Sequence, residues 1–165
     1  MRETTQNDIS FLIRREDPAQ DDIRRLLKNG EDESDRLYPA ESNHHLPLDL
    51  LRKPEVWFLV ARTSEGLAVA TGAFVVKGDW AEIKRMWVEE DWRGQGLARR
   101  MLGQLIEEAR AQGVHRLRLE TGIESHAAIA LYEKAGFVKI EPFADYEPDP
   151  LSVFMELALI PNAQA

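Results

Sequence analysis

The stretch "VEEDWRGQGLARRMLGQLIEEARAQG", residues 88–113, sets two glycines one residue apart, Gly94 and Gly96, at the mouth of a helix-forming run. Leu97, Met101, Leu102, Leu105, Ile106 and Ala109 recur at helical spacing, and Gly113 supplies a C-terminal stop. Glycine is a poor helix former, so this placement answers to a tight turn or to a ligand that must reach backbone. A strand, a glycine turn and a helix N-terminus together make an anion site, because free N–H groups point outward and the helix dipole favours negative charge. Arg93, Arg99 and Arg100 add positive charge around it. A P-loop string is absent, and the dinucleotide fingerprint GxGxxG fails at its third glycine, where Arg99 stands.

Upstream, "VWFLVART" (56–63), "AVATGAFVV" (68–76) and "WAEIKRMWV" (80–88) read as an antiparallel meander joined by the turns "SEGL" and "KGD". A first strand covers Ser10 to Glu16. Asp17-Pro18 then predicts an N-cap and first helical position for a helix burying Ile23, Leu26 and Leu27, with a break or a second short helix at Gly30 and the acidic run "EDESD". "LYPAESNHHLP" (37–47) predicts a loop, and "LDLLRK" one helical turn. Downstream, "HRLRLET" is a strand, and Ser125 is positioned to cap the helix "HAAIALYEKA", which Gly136 ends. "FVKI" and "LSVFMEL" are the last strands, separated by the proline-rich "EPFADYEPDP". The expected fold is mixed α/β (α+β): a mostly antiparallel sheet of about seven strands with helices on both faces. One domain spans 1–165, with 1–9 and 160–165 as flexible ends.

Composition narrows the function classes. Hydrophobic residues make up 44% and charged residues 30%, an ordinary globular balance. The net charge of -8 argues against a general nucleic-acid binder and mildly favours cationic acceptors. No apolar run is long enough for a membrane span, and "MRETTQNDIS" lacks a signal-peptide core. With no cysteine there is no disulfide framework, thiolate zinc site or cysteine nucleophile, and a cytoplasmic enzyme fits. His44-His45 with Glu41 is not an HExxH pattern, so no metal site is expected.

R-x-x-G-x-A, here Arg93, Gly96 and Ala98, followed in order by "RLRLET" and "AIALYEKAGF", resembles the acyl-CoA turn of the GCN5-related N-acetyltransferase (GNAT) family. The resemblance covers roughly the second half of the chain, and the ending "PFADYEPDPLSVFMEL" looks like a branch of small bacterial members. It implies an acetyl-CoA-dependent N-acetyltransferase acting on the primary amine of a small molecule by direct attack. The alternatives are a peptide or protein amine, or a non-catalytic CoA-sensing module; a homodimer is compatible. By resemblance the cofactor contacts are Met86, Trp87, Val88, Arg93, Gly94, Gln95, Gly96, Leu97, Ala98 and Arg99. Tyr132 matches the tyrosine that protonates the CoA sulfur. Ser125 stands where many members carry a cofactor-contacting asparagine, and His126 is next to it. Glu82 matches the general base of the histone-modifying branch, and Glu120 is the second carboxylate candidate. For each of those two the competing reading is a buried ion pair with Lys84, Arg85, Arg116 or Arg118. Tyr38, Glu41, Asn43, His44, His45 and Glu82 are the acceptor-pocket candidates.

Overall fold

Alternation along the strands decides the layers. The computed structural model describes residues 10–159; the ends expected to be flexible, 1–9 and 160–165, lie outside the described residues. In β2 (Val56–Thr63), Phe58 and Val60 face one side of the sheet and Leu59 and Ala61 the other, and all four are buried. Strands covered on both faces read as near-continuous apolar runs, which is why β2 and most of β3 (Ala68–Lys77) lack a polar side. On one face, α1 (Asp21–Leu37) and the single turn α2 (Leu48–Leu51) bring Ile23, Leu26 and Leu51 against Phe58 and Val60. On the other, α3 (Leu97–Ala111) and α4 (His126–Ala135) bring Met101, Leu105 and Tyr132 into a larger core with Phe74 and Ile83.

The sheet order is β1 (Phe11–Arg15), β2, β3, β4 (Trp80–Val88), β5 (Arg116–Gly122), β7 (Ser152–Ala158), β6 (Val138–Ile140). Neighbours are antiparallel except β4 and β5, which are parallel. These two pair only over Trp80–Glu82 and Arg116–Arg118, and then part. β4 also bulges: Arg85 and Met86 oppose the single Gly72. Arg85 takes a φ of 61°, a left-handed conformation costing a side-chain-bearing residue about 1–2 kcal/mol. Thr71 Oγ1 donates to the Arg85 carbonyl at 2.8 Å. The Arg85 guanidinium holds Glu31 at 2.6 Å and the Leu46 carbonyl at 2.9 Å.

Some local expectations change. α1 begins at Asp21 rather than Pro18, because Asp17 is drawn into a turn. Its Oδ1 accepts from the Ala19 N–H at 2.9 Å, and Arg52 holds both carboxylate oxygens at 3.1 Å. No break occurs at Gly30, and α1 runs on to Leu37. Gly30 lies against the Trp87 ring, and the acids after it meet cations: Asp32 meets Lys28 at 3.1 Å, Glu31 meets Arg85, and Glu33 meets Arg93 at 3.6 Å. The expected loop from Leu37 contains a 3-10 turn at Ala40–Ser42. Ser125 precedes α4 as expected, but its hydroxyl makes no capping bond and lies 3.2 Å from Tyr38 Oη instead. Among the described residues, no helix is long and apolar enough to cross a membrane.

Candidate active site

The bulge and the early parting of β4 from β5 leave backbone open. The Glu89 N–H donates to the Val69 carbonyl at 2.9 Å, which makes Val88 and Ala70 a non-hydrogen-bonded pair of the antiparallel ladder. The Val88 N–H and carbonyl therefore point away from β3, into the gap that β5 has left. Arg93 Nε donates to that carbonyl at 2.9 Å, and the N–H faces the gap.

Beyond Val88 the chain reaches the glycine turn. Gly94 and Gly96 have φ of 83° and 79°, and a Cβ on either meets nothing within 4 Å. Glycine is thus required by backbone conformation, and the space in front stays clear. Gly96 is the N-cap of α3, with no side-chain capping bond and no acid in the first turn. These first-turn amides fit a phosphate-bearing ligand.

A cavity of about 710 Å³ runs from this turn, past the gap, to the loop between α1 and α2. Tyr132 lines it although only 4% exposed. Burial alone pushes its hydroxyl above the usual tyrosine pKa, with no hydrogen-bond partner contributing, so it stays protonated at neutral pH. Glu120, from the end of β5, lines the same cavity. Burial pushes its carboxyl above the usual range; a 2.7 Å bond from Ser152 Oγ, and the nearby His44 and Lys84, oppose that rise.

The far end is assembled from separate segments. Tyr38 stands on Gly122, where a Cβ would fall 2.0 Å from the ring. Its Oη accepts from the Glu124 N–H at 2.9 Å. His44 meets the edge of Tyr146 with centroids 5.1 Å apart. Partial burial, with Arg85 nearby, holds His45 below its ordinary pKa. Asn43 Nδ2 donates to Asp35 at 3.0 Å, and its Oδ1 accepts from Ser34 Oγ at 2.5 Å. Lys84 Nζ donates to Tyr146 Oη at 2.8 Å and to the His44 carbonyl at 3.1 Å.

Most of the residues read from sequence meet in this one cavity. Met86, Trp87, Val88, Arg93, Gly94 and Gly96 line it, as do Leu97, Ala98, Arg99, Ser125 and His126. Tyr38, Asn43, His44 and His45 line its other end. Gln95 and Glu41 are exposed and outside its wall, and Arg100 turns away to the Phe11 carbonyl at 3.2 Å. Glu82 lies behind the wall, 3% exposed, bonded by Tyr146 and held by Lys84 at 3.2 Å and Lys77 at 3.8 Å. Arg116 and Arg118 pair with Glu156, not with either candidate carboxylate. Tyr146 and Asp149, which sequence reading passed over, come from the proline-rich loop. Asp149 accepts from Ser42 Oγ at 2.6 Å. The one signal for Tyr146 was a pair of aromatics, Phe143 and Tyr146, in a loop of prolines and acids. Among the described residues, no group of three His, Cys, Asp or Glu side chains could hold a metal ion.

Residues 20–137 match the profile of the Acetyltransferase (GNAT) family. A protein of Azospirillum brasilense named IAA acetyltransferase is 47% identical over 91% of this chain and 99% of its own. The [Ribosomal protein bS18]-alanine N-acetyltransferase of Escherichia coli K12 is 37% identical over 52% of this chain and 58% of its own. The crystal structure of a Klebsiella pneumoniae protein assigned as an acyl-CoA N-acyltransferase superposes with a TM-score of 0.78. It is 36% identical and covers 91% of this chain and 98% of its own. The parted strands, the glycine-led helix and these matches agree: the chain belongs to the GNAT family and is an N-acetyltransferase.

Proposed function

We propose that this enzyme moves an acetyl group from acetyl-CoA to the primary amine of a small molecule by direct attack, with Glu120 as general base and Tyr132 as general acid. One observation carries the reading: a single cavity joins the uncapped, glycine-led start of α3 to the buried Tyr132 hydroxyl and the Glu120 carboxyl. Bound there, acetyl-CoA supplies the acetyl thioester. The turn at Gly94 and Gly96 and the first amides of α3 hold its diphosphate, with Arg93 and Arg99 adding charge. The Val88 N–H is offered to the thioester oxygen. Glu120 takes a proton from the acceptor ammonium, the freed nitrogen bonds to the acetyl carbon, and the carbon–sulfur bond breaks. Tyr132 gives its hydroxyl proton to the departing sulfur and is reprotonated, through solvent, by the second proton shed from the acylated nitrogen, while the proton on Glu120 passes to solvent. The chain has no cysteine to carry an acyl group, in keeping with a direct route.

A small acceptor is favoured because two loops meet at the far end of the cavity, through Ser42 to Asp149 and His44 to Tyr146. A peptide amine, as in the name of the bS18-alanine relative, requires that end to open. A purely CoA-sensing role leaves Tyr132 and Glu120 without a task. Thiol release from acetyl-CoA, screened over alkyl amines, polyamines, amino acids, peptides and the IAA of the Azospirillum relative's name, decides among these. Absence of thiol release with every acceptor rejects the enzyme reading.

Glu120→Gln tests the base. Only the ionised carboxyl can accept a proton, and burial raises its pKa, so kcat/KM falls on acidification through a limb above the ordinary carboxylate range. The variant should lose roughly a hundredfold in kcat/KM and abolish that limb, with the Kd for CoA unchanged. An intact limb rejects Glu120.

A further inference from the structure

The face of β4, β5 and β7 that α1 and α2 leave bare carries an unusual row of side chains. Trp80, Glu82 and Lys84 alternate out of β4 on this side, Arg118 and Glu120 out of β5, and Phe154 and Glu156 out of β7. The segment from Glu141 to Leu151 crosses over them and inserts two aromatics. Phe143 packs edge-on against Trp80 and Phe154, an ordinary aromatic contact. Tyr146 does something different. Its ring touches Phe143, Phe154 and His44, while its hydroxyl enters between two charged groups of β4. That hydroxyl donates to the buried Glu82 carboxylate and accepts from Lys84 Nζ at 2.8 Å. Lys84 completes its three donors with the His44 carbonyl and Glu82.

Tyr146 and Glu82 do not line the cavity, whereas Lys84, His44 and Glu120 do. We infer that Tyr146 is a positioning residue: with Glu82 behind it, it fixes the Lys84 ammonium and the His44 ring beside Glu120 and so sets the proton affinity of the catalytic carboxyl. This rests on Glu120 being the base. The groups facing Glu120 are Glu82 and Lys84 from β4, His44 from the loop after α1, Ser152 from β7 and Tyr146 from the crossing segment. Arg118, on its own strand, is committed to Glu156 at 3.1 Å.

Loss of the Tyr146 hydroxyl strips Glu82 of its neutral donor and Lys84 of one acceptor. The under-satisfied carboxylate draws Lys84 toward itself and exerts a stronger negative field. Both changes make Glu120 harder to ionise. Loss of the Glu82 charge acts in the opposite sense, since it removes repulsion and leaves the Lys84 charge uncompensated beside Glu120.

The test is the pH profile of kcat/KM with one amine acceptor throughout, so that the acceptor's own titration is common to all variants. Tyr146→Phe and Lys84→Met should move the acidic limb up by about half a unit to one unit. Glu82→Gln should move it down by a similar amount, and CoA affinity should be unchanged in all three. Tyr146→Phe keeps the ring packing, so the test survives even if the charge variant folds poorly. A limb that persists in Glu120→Gln overturns the assignment of the base, and this proposal with it. A limb that depends on Glu120 yet stays fixed in Tyr146→Phe and Lys84→Met overturns the positioning role alone.

Discussion

At the end of the cavity proposed for the donor, the proposed contacts are mainly backbone amides, those of the Gly94–Gly96 turn, the first turn of α3 and Val88, whereas at the end proposed for the acceptor they are side chains brought from separate segments. Tyr38 and His44 come from the region after α1, Lys84 from β4, Glu120 from β5, and the Tyr146 behind them from the crossing segment. A backbone site is sensitive to conformation and indifferent to most side-chain exchanges. A side-chain site reverses that sensitivity. The contrast can be broken by single substitutions, and the largest effect is expected where the two ends meet.

Tyr132 stands at that junction, and its hydroxyl carries a burial cost with no hydrogen bond to offset it. Tyr132→Phe keeps the ring against Phe137, 5.5 Å between centroids, and removes only the hydroxyl. We expect kcat to fall by about a hundredfold or more, with donor Kd unchanged. Thermal stability should be equal or slightly higher, because an unpaired buried polar group is gone. A lower Tm with unchanged kcat would return Tyr132 to a packing role.

Gly96→Val attacks the donor end through conformation. A φ of 79° is poorly tolerated by a branched residue, and the added methyls enter the space in front of the first helical amides. CoA Kd by calorimetry should rise about a hundredfold, roughly 2.7 kcal/mol, while the folded domain persists. An unchanged Kd in a folded variant removes the diphosphate from this turn.

Gly122→Ala is the corresponding challenge to the acceptor end, and here the obstacle is space. The new methyl overlaps the Tyr38 ring, which must swing out and release the Glu124 N–H and Ser125. Acceptor KM should rise about tenfold with donor Kd unaffected, and stability should fall by about 1–3 kcal/mol from overpacking. An equal loss at both ends would show that the two ends are not independent.

The same contrast explains what the sequence displayed. A backbone site needs a fixed local string, so Arg93, Gly94, Gly96 and the apolar stripe of α3 were readable together, and the meander and crossover followed from period and turn residues. The acceptor end depends on residues far apart in the chain, which no local pattern connects. Glu82 reads as a candidate base and acceptor contact on the strand that forms β4. Nothing local told that Tyr146, 64 residues later, would cover it and leave Glu120 on the cavity wall. The continuous α1 was hidden for a related reason. Gly30 and four of the next five residues predict a break, but the cations that hold Glu31 and Glu33 sit on β4 and in the turn before α3.

The smallest expected effect is also the one with a counter-intuitive sign. Arg93 is the conspicuous cation of the donor turn, yet it is already engaged. It donates to the Val88 carbonyl at 2.9 Å, lies 4.7 Å from the centre of the Trp87 ring, and meets Glu33 of α1 at 3.6 Å. A diphosphate that recruits Arg93 must compete with Glu33 and also bear its negative charge. Both members of that ion pair are more than a third exposed, so the pair is worth only about 0.2–1 kcal/mol. Glu33→Gln should therefore tighten CoA binding by about twofold to threefold at low salt. The gain should fade in 1 M salt, where screening reaches only about 3 Å. Trp87, which shares the cavity wall, provides a fluorescence readout for both titrations. Weaker binding in Glu33→Gln would mean that Glu33 holds Arg93 in its ligand-ready position, and a side chain would then matter at the donor end as much as backbone does.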